Sequence, residues 1–208
     1  MSKSPAAADR LLCYKQVRHF NEPGHAHFLT FSCYERMRLL SNDLWRGWLA
    51  GDVRDACAKH AFALWAYVFM PDHVHLLVKP RSETYDTASF LKSAKQGSAR
   101  RILGHLRSQG SGLLDRLRVH RGARGEVLRF WQTGPGYDKN IWDMEKAVEK
   151  ARYCHRNPVT RRLVTSPEQW RWSSFRWLEL GRRSGEPLIV DDWIESPQAG
   201  PNDEGRHG

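Results

Sequence analysis

The chain has 208 residues, enough for one sizeable core, and its 40% hydrophobic content is typical of a globular protein rather than a disordered one. Lysine and arginine outnumber aspartate and glutamate by 33 to 23, and the net charge of +10 favours an anionic partner, foremost a nucleic acid. The sequence has no run of ~20 apolar residues, no secretory signal and no C-x-x-C pair, so we expect a cytoplasmic protein without a membrane partner.

The first third of the chain predicts a lead-in, a strand and a helix. Residues 1–24 contain two prolines and an alanine patch and are interpreted as an irregular lead-in. Residues 25–34 have the aromatic and β-branched content of a strand. Asn42 or Asp43 can cap a helix over about 43–60, where apolar residues recur at helical spacing.

The middle of the chain predicts two strands and a basic helix. The strands, at 62–69 and 75–79, are joined by a Met-Pro-Asp link that is too short for a crossover, so they should be antiparallel neighbours. Thr87 or Ser89 can cap a helix that runs to about residue 106 and carries lysines and arginines on one side.

The last third of the chain predicts a strand, a helix and an irregular end. Residues 127–131 are interpreted as the fourth strand. Residues 143–156 form a helix that Pro158 should close, because the residue before a proline avoids the helical region. Residues 166–194 are tryptophan-rich, and 195–208 have the composition of a disordered tail.

This order of elements predicts an α+β fold of the ferredoxin-like, split βαβ type. An antiparallel sheet would carry helices on one face, and the helix at 143–156 would follow as an addition. In such a sheet the first and third strands usually pair at the centre, which would place the third strand in a rigid position.

Two histidines at the start of the third strand form half of a possible metal site. His73 and His75 point to the same face of the sheet, since side chains alternate along a strand. Imidazole is the commonest protein ligand for metals. A second His-x-His pair, His25 and His27, lacks the Met-Pro-Asp lead and is the less favoured candidate.

The helix at 143–156 offers candidates for the other half of the site. Tyr153 points away from the apolar stripe of this helix, and Asn157 lies one turn further on. An amide oxygen can ligate a hard divalent ion, and a phenol beside a metal-bound phosphate could attack it. An ordinary half-exposed surface tyrosine fits this pattern equally well. Tyr137 is the rival nucleophile but has no candidate ligand one turn away, so we interpret it as structural.

Four short motifs, in order, resemble a known family. Met-Pro-Asp-His-Val-His at 70–75 and Tyr-Cys-His-Arg-Asn-Pro-Val at 153–159 are similar to the REP-associated tyrosine transposases, a branch of the single-tyrosine His-hydrophobic-His transposases. Phe-Trp-Gln at 130–132 resembles an aromatic-glutamine element of that family, and 167–174 resembles its proline-tryptophan-serine-serine segment. The resemblance spans about residues 25–180.

The resemblance implies a metal-dependent transposase and endonuclease that cleaves and rejoins single-stranded DNA at palindromic hairpins. His73, His75 and Asn157 would hold Mg²⁺ or Mn²⁺, and Tyr153 would form a 5′-phosphotyrosine intermediate. The catalytic domain would be 25–165 and a DNA-contacting extension 166–194.

The expected partner is hairpin or single-stranded DNA, bound by a monomer or a homodimer near the bacterial nucleoid. A catalytically inactive or domesticated hairpin-binding protein and a replication-initiator-like nickase are the alternatives. The basic residues could also form a merely solvated face. As phosphate contacts we expect Lys92, Lys95, Arg100, Arg101, Arg116, Arg118, Arg121, Arg124, Arg161 and Arg162.

Overall fold

A four-stranded antiparallel sheet forms the centre of the fold, in the order β2-β3-β1-β6. The computed structural model describes residues 21–120, 125–134 and 136–193, so most of the expected lead-in, the whole expected tail, Arg121 and Arg124 lie outside the described residues. The strands of the sheet are β1 (Ala26–Ser32), β2 (Phe62–Phe69), β3 (His73–Pro80) and β6 (Tyr137–Ile141). The central pairing of β1 with β3 confirms the predicted topology.

The first two long helices pack on one face of the sheet, as predicted, and the additional third one covers the other face. The two long helices α1 (Asp43–Lys59) and α2 (Thr87–Ser108) pack on one face, over Leu29, Leu76 and other apolar residues. The helix α4 (Met144–Thr160) packs on the opposite face through Ala147, Ala151 and Cys154. Within the described residues, no helix has the length and apolar character needed to cross a bilayer.

Side-chain caps begin each of the three long helices. Asn42 accepts hydrogen bonds from the N–H groups of Leu44 and Trp45, as predicted. Asp86, rather than Thr87 or Ser89, caps α2. Asp143 accepts from the N–H of Lys146 at 2.7 Å and caps α4.

The prediction of the fourth strand was wrong. Glu126–Leu128 (β5) pairs instead with Arg118–His120 (β4) in a separate two-stranded ribbon, which follows the short helix α3 (Leu113–Leu117). The sheet is completed by β6, a polar edge strand in which only Ile141 is fully buried. Because β6 lies at the edge, its residues need not be apolar on both faces, and the sequence pattern gave no strand signal.

The prediction that Pro158 closes the last long helix was also wrong. The helix α4 runs through Pro158 to Thr160. Proline in the last turn sacrifices one backbone hydrogen bond, to the carbonyl of Cys154, but the following carbonyls of α4 find donors in Arg161, Arg162 and Leu163. The extra turn keeps Asn157 inside the helix, one turn after Tyr153.

The segment after α4 covers the exposed edge of β2. Backbone hydrogen bonds join Phe69 to Trp172 and Ser174 to Tyr67, and the short helix α5 (Phe175–Leu180) follows. Trp172 and Trp177 are only 7% and 8% exposed and belong to the core. These two rings cannot stack on DNA bases, so DNA contact by the extension stays a prediction about its exposed residues.

Ser174 ties this segment to both β2 and α4, and we expect Ser174→Ala to destabilise the fold. Its hydroxyl accepts a hydrogen bond from the backbone N–H of Tyr67 at 3.0 Å and lies 3.0 Å from Nε2 of His155. Losing a buried partner of this kind costs about 1–3 kcal/mol in the free energy of unfolding. Chemical denaturation should show this loss, whereas the exposed control Ser82→Ala should stay within about 0.5 kcal/mol of wild type. Equal stabilities for the two variants would contradict the role given to Ser174.

Candidate active site

The two histidines of β3 converge on one point of the sheet face that α4 covers. The Nε2 atoms of His73 and His75 lie 3.1 Å apart, and both side chains are buried. Two nitrogen ligands at about 2.1 Å from one ion, separated by an angle of 90–110°, would have their nitrogens about 3.0–3.4 Å apart. The pair therefore has the spacing of two ligands of a single metal ion.

The outward nitrogens of both rings are held by hydrogen bonds. Nδ1 of His73 donates to a carboxylate oxygen of Asp72 at 2.7 Å, and Nδ1 of His75 lies 2.7 Å from the hydroxyl of Thr30. A proton on Nδ1 leaves the Nε2 lone pair free to bind a cation. This is the arrangement by which metal-ligating histidines are oriented in proteins.

Asn157 supplies a third group at the same point. Its side-chain nitrogen lies 3.2 Å from Nε2 of His75, and its Oδ1 is buried without a hydrogen-bond partner among the described residues. Rotating the amide by half a turn would aim that oxygen at the two Nε2 atoms. A buried amide oxygen without a partner is costly unless a ligand such as a cation completes it.

The surroundings keep both imidazoles neutral. Burial, together with the neighbouring His73 and Arg36, lowers the pKa of His75 to about 3. Burial also lowers the pKa of His73, although its hydrogen bond to Asp72 acts in the opposite direction. Neutral imidazole is the form that binds metals, so these shifts suit a ligand pair.

Tyr153 lies beside the buried histidine pair, where the site is open to solvent. Its ring centroid lies 5.2 Å from that of His75 and 5.9 Å from that of Phe28, both in edge-on contact, and the residue is 49% exposed. The three residues line a cleft of about 290 Å³ together with Thr30, Tyr137 and Lys150. The phenol is thus accessible to a large ligand that reaches the histidines.

Several residues of this cleft were missed by sequence reasoning. Phe28 stacks on the ring of His75 with centroids 5.3 Å apart, and Lys150 lies one turn before Tyr153 on α4. Tyr137, interpreted as structural, is 49% exposed and lines the cleft. It pairs across the sheet with Thr30, which pairs with His75, so the three side chains form one row on one face. Only the register of β6, which the sequence did not reveal, brings Tyr137 to the cleft.

The second His-x-His pair is structural. His27 is fully buried, and its two ring nitrogens lie 2.8 Å from a carboxylate oxygen of Asp138 and 2.8 Å from the hydroxyl of Tyr85. Both nitrogens are therefore occupied by protein partners. Among the described residues, no cluster of three or more histidine, cysteine, aspartate or glutamate side chains could hold a metal, so the candidate third ligand at His73 and His75 is the amide of Asn157.

The basic residues expected to contact DNA are spread over several surfaces. Lys92, Lys95 and Arg100 line a groove along α2, and Arg161 and Arg162 follow the C-terminal end of α4. Arg101 forms an ion pair with Asp52 on α1, and Arg118 pairs with Asp115 and Glu126. Arg116 is exposed at the end of α3 and faces a different cleft.

Comparisons with known proteins relate this chain to transposases. Residues 23–113 match the family model described as "Transposase IS200 like", and the match includes both histidines but ends before Tyr153. A solved REP-associated tyrosine transposase bound to a REP hairpin superposes with a TM-score of 0.60 and 17% identity, over 88% of this chain and 96% of that chain. A candidate transposase from Deinococcus radiodurans gives a TM-score of 0.38 and 21% identity, over 67% of this chain and 94% of that chain. No curated protein matches the chain significantly.

The family model covers the motif at 70–75 but not the motif at 153–159. Residues 23–113 match the model of the IS200-like transposases, and the chain has the fold of a REP-associated tyrosine transposase over 88% of its length.

Proposed function

We propose that the protein is a metal-dependent transposase that cleaves and rejoins single-stranded DNA at hairpins, with Tyr153 as the nucleophile. The observation that carries this proposal is the convergence of His73, His75 and Asn157 beside an exposed tyrosine. The Oδ1 atom of Asn157 is buried without a partner among the described residues, which costs free energy that a bound cation would return. Phosphoryl transfer by the phenol accounts for all four residues.

Mg²⁺ or Mn²⁺ fits the donor set. The two Nε2 atoms and the unpartnered Oδ1 of Asn157 are the donors available, and both kinds of atom bind these ions. His75 lines the cleft, so a phosphate bound there would lie beside these donors. A cation held there supplies charge neutralisation for the scissile phosphate.

The protein's own residues account for the reaction. The phenol of Tyr153 loses its proton and attacks phosphorus, a bond forms between Tyr153 and the 5′ phosphate, and the 3′ oxygen leaves as a hydroxyl after gaining a proton. Rejoining reverses these steps, so the phosphodiester bond is restored without ATP. Lys150 lines the same cleft and provides positive charge one helical turn from the phenol.

Hairpin DNA is the proposed partner. The solved transposase of the same fold is bound to a REP hairpin, and the basic groove on α2 offers a surface for phosphates. A cytoplasmic location beside the nucleoid belongs to the same proposal, as does a monomer or a homodimer.

The test is incubation of the purified protein with single-stranded DNA that contains a palindromic hairpin, in Mg²⁺, in Mn²⁺ and in EDTA. We expect nicked DNA, a covalent protein–DNA adduct and rejoined strands in the metal-containing reactions only. Tight hairpin binding without any nick would instead identify a binding protein with a vestigial site. Nicking without rejoining would identify a replication-initiator-like nickase.

Asp72 should set the metal affinity through His73. Asp72→Asn keeps the shape of the side chain but weakens the hydrogen bond that orients the imidazole. Loss of such an outer partner costs about 10- to 100-fold in metal affinity. Titration of Mn²⁺ followed by its electron paramagnetic resonance signal should show this weakening. The exposed control Asp55→Asn, on α1, should leave the Mn²⁺ affinity unchanged, and equal affinities for all three proteins would remove Asp72 from the site.

A further inference from the structure

A narrow passage connects the Tyr153 cleft to the basic groove on α2. The cleft that contains Tyr153 shares Thr30 and Tyr137 with a second cleft of about 170 Å³. This second cleft, which we call the passage, shares Lys95 and Gly134 with the groove on α2, whose volume is about 610 Å³. The three clefts therefore lie next to one another, and we call this series, which starts at the candidate nucleophile, the path.

Lys95 lies where the passage opens into the groove. It is half-buried, and its Nζ lies 5.7 Å from the centroid of the Phe31 ring. No carboxylate in the described part of the chain lies within ion-pair distance of Lys95, and burial lowers the pKa of its ammonium group. A partly desolvated cation without an internal anion is costly for the fold, which points to an external anion as its partner.

The Phe-Trp-Gln motif at 130–132 forms a fixed wall of the same path. The carbonyl of Phe130 accepts from the N–H of Tyr34 at 2.8 Å, and the N–H of Gln132 donates to the carbonyl of Ser32 at 2.9 Å. The indole N–H of Trp131 donates to the backbone carbonyl of Lys95 at 2.8 Å, which locks the indole against α2. Phe130 is core, whereas Trp131 lines the groove and Gln132 lines the passage.

The chemistry of this path fits single-stranded DNA rather than duplex. The path contains four cations that could bind phosphates. Two line the passage, Lys95 and Arg36, and two line the groove, Lys92 and Arg100. The rings of Tyr137 and Trp131 suit the faces of unpaired bases, which a duplex keeps stacked inside.

We propose that the single strand flanking the scissile phosphate leaves the Tyr153 cleft through this passage, where Lys95 binds one of its phosphates and Trp131 contacts a base. This inference rests on the proposed function. It assigns to the motif at 130–132 the task of holding the flanking strand, separate from the bonds that are made and broken.

The test compares hairpins that have no extension, an extension on the 5′ side or an extension on the 3′ side. Fluorescence anisotropy is measured with Lys95→Met, which removes the charge but keeps an unbranched side chain, and with the matched control Lys59→Met at the exposed end of α1. The Tyr153→Phe background keeps the DNA intact. We expect Lys95→Met to weaken binding of one extended hairpin about tenfold and to lower its salt slope by about 0.7, as one lost phosphate contact does.

Further readouts separate this role from a structural one. The affinity for the hairpin without an extension should fall by less than about twofold with either variant. The Tm of Lys95→Met should not fall below that of the Tyr153→Phe protein, since a desolvated charge has been removed. The proposal would be overturned if Lys95→Met lost no affinity, or lost the same affinity for hairpins with and without an extension, or for both extensions. A lowered Tm would also overturn it.

The two proposals fail in distinguishable ways. With Tyr153 present, the control Lys59→Met should form the covalent adduct as wild type does. If Lys95→Met weakens binding of only one extended hairpin but wild type forms no adduct, the proposed path of the strand stands and the proposed reaction is refuted. An adduct in wild type combined with no extension-specific effect would refute the passage alone.

Discussion

Tyr153→Phe should abolish covalent attachment to hairpin DNA and leave binding of that DNA intact. The substitution removes one oxygen from an exposed ring and keeps the edge-on contacts with His75 and Phe28. Because the proposed mechanism assigns the attack to Tyr153 alone, the single-turnover nicking rate should fall by more than about a thousandfold. Denaturing gels report the nick and the adduct, and anisotropy reports the binding.

Tyr137→Phe is the matched control for this experiment. Tyr137 has the same 49% exposure, lines the same cleft and undergoes the same chemical change. Its variant should form the adduct at nearly the wild-type rate. If Tyr137→Phe lost the adduct and Tyr153→Phe kept it, the roles of the two phenols would be reversed.

His75→Ala should remove metal binding and nicking together. His75 contributes one of the two Nε2 atoms, and it also contacts Asn157, so its loss disrupts two of the three candidate ligands. Loss of a residue that only hydrogen-bonds to a ligand lowers metal affinity by about 10- to 100-fold, so loss of a ligand itself should lower it by more than about 100-fold. Isothermal titration with Mn²⁺ measures the affinity, and gels at saturating DNA measure the nick.

Two further variants serve as controls for His75→Ala. The ring of His75 stacks on Phe28, so its truncation also leaves a cavity, and His73→Ala provides a second removal of a ligand without that contact. His25→Ala alters the other His-x-His pair and should bind Mn²⁺ like wild type. Metal affinity unchanged in both His73→Ala and His75→Ala would refute this metal site.

Local sequence signals were sufficient where an element is apolar and long. The strands β1, β2 and β3 and the helices α1 and α2 lie within a few residues of their predicted bounds because alternating or helical apolar spacing marks them. The edge strand β6 was not predicted because its sequence, Tyr-Asp-Lys-Asn-Ile, is mostly polar, and only one of its residues is buried. The apolar run at 127–131 was favoured in its place.

The site itself was predicted in its separate pieces but not in its surroundings. His73, His75 and Asn157 were identified from motifs, and the structure brings them within hydrogen-bond distance. Thr30 and Tyr137 could not be found, since their approach to His75 depends on the register of three strands. The sequence likewise could not separate Lys95, which has no internal anion, from Arg101, which pairs with Asp52.

The central claim is that Tyr153 carries the DNA, and peptide mapping of the covalent adduct tests it most directly. The wild-type protein is trapped with a hairpin substrate in Mn²⁺, digested with nuclease and trypsin, and analysed by tandem mass spectrometry. The account predicts a nucleotide phosphate on the phenolic oxygen of Tyr153. A phosphate on Tyr137 or on any other side chain, or a nicked substrate without any adduct, would contradict it.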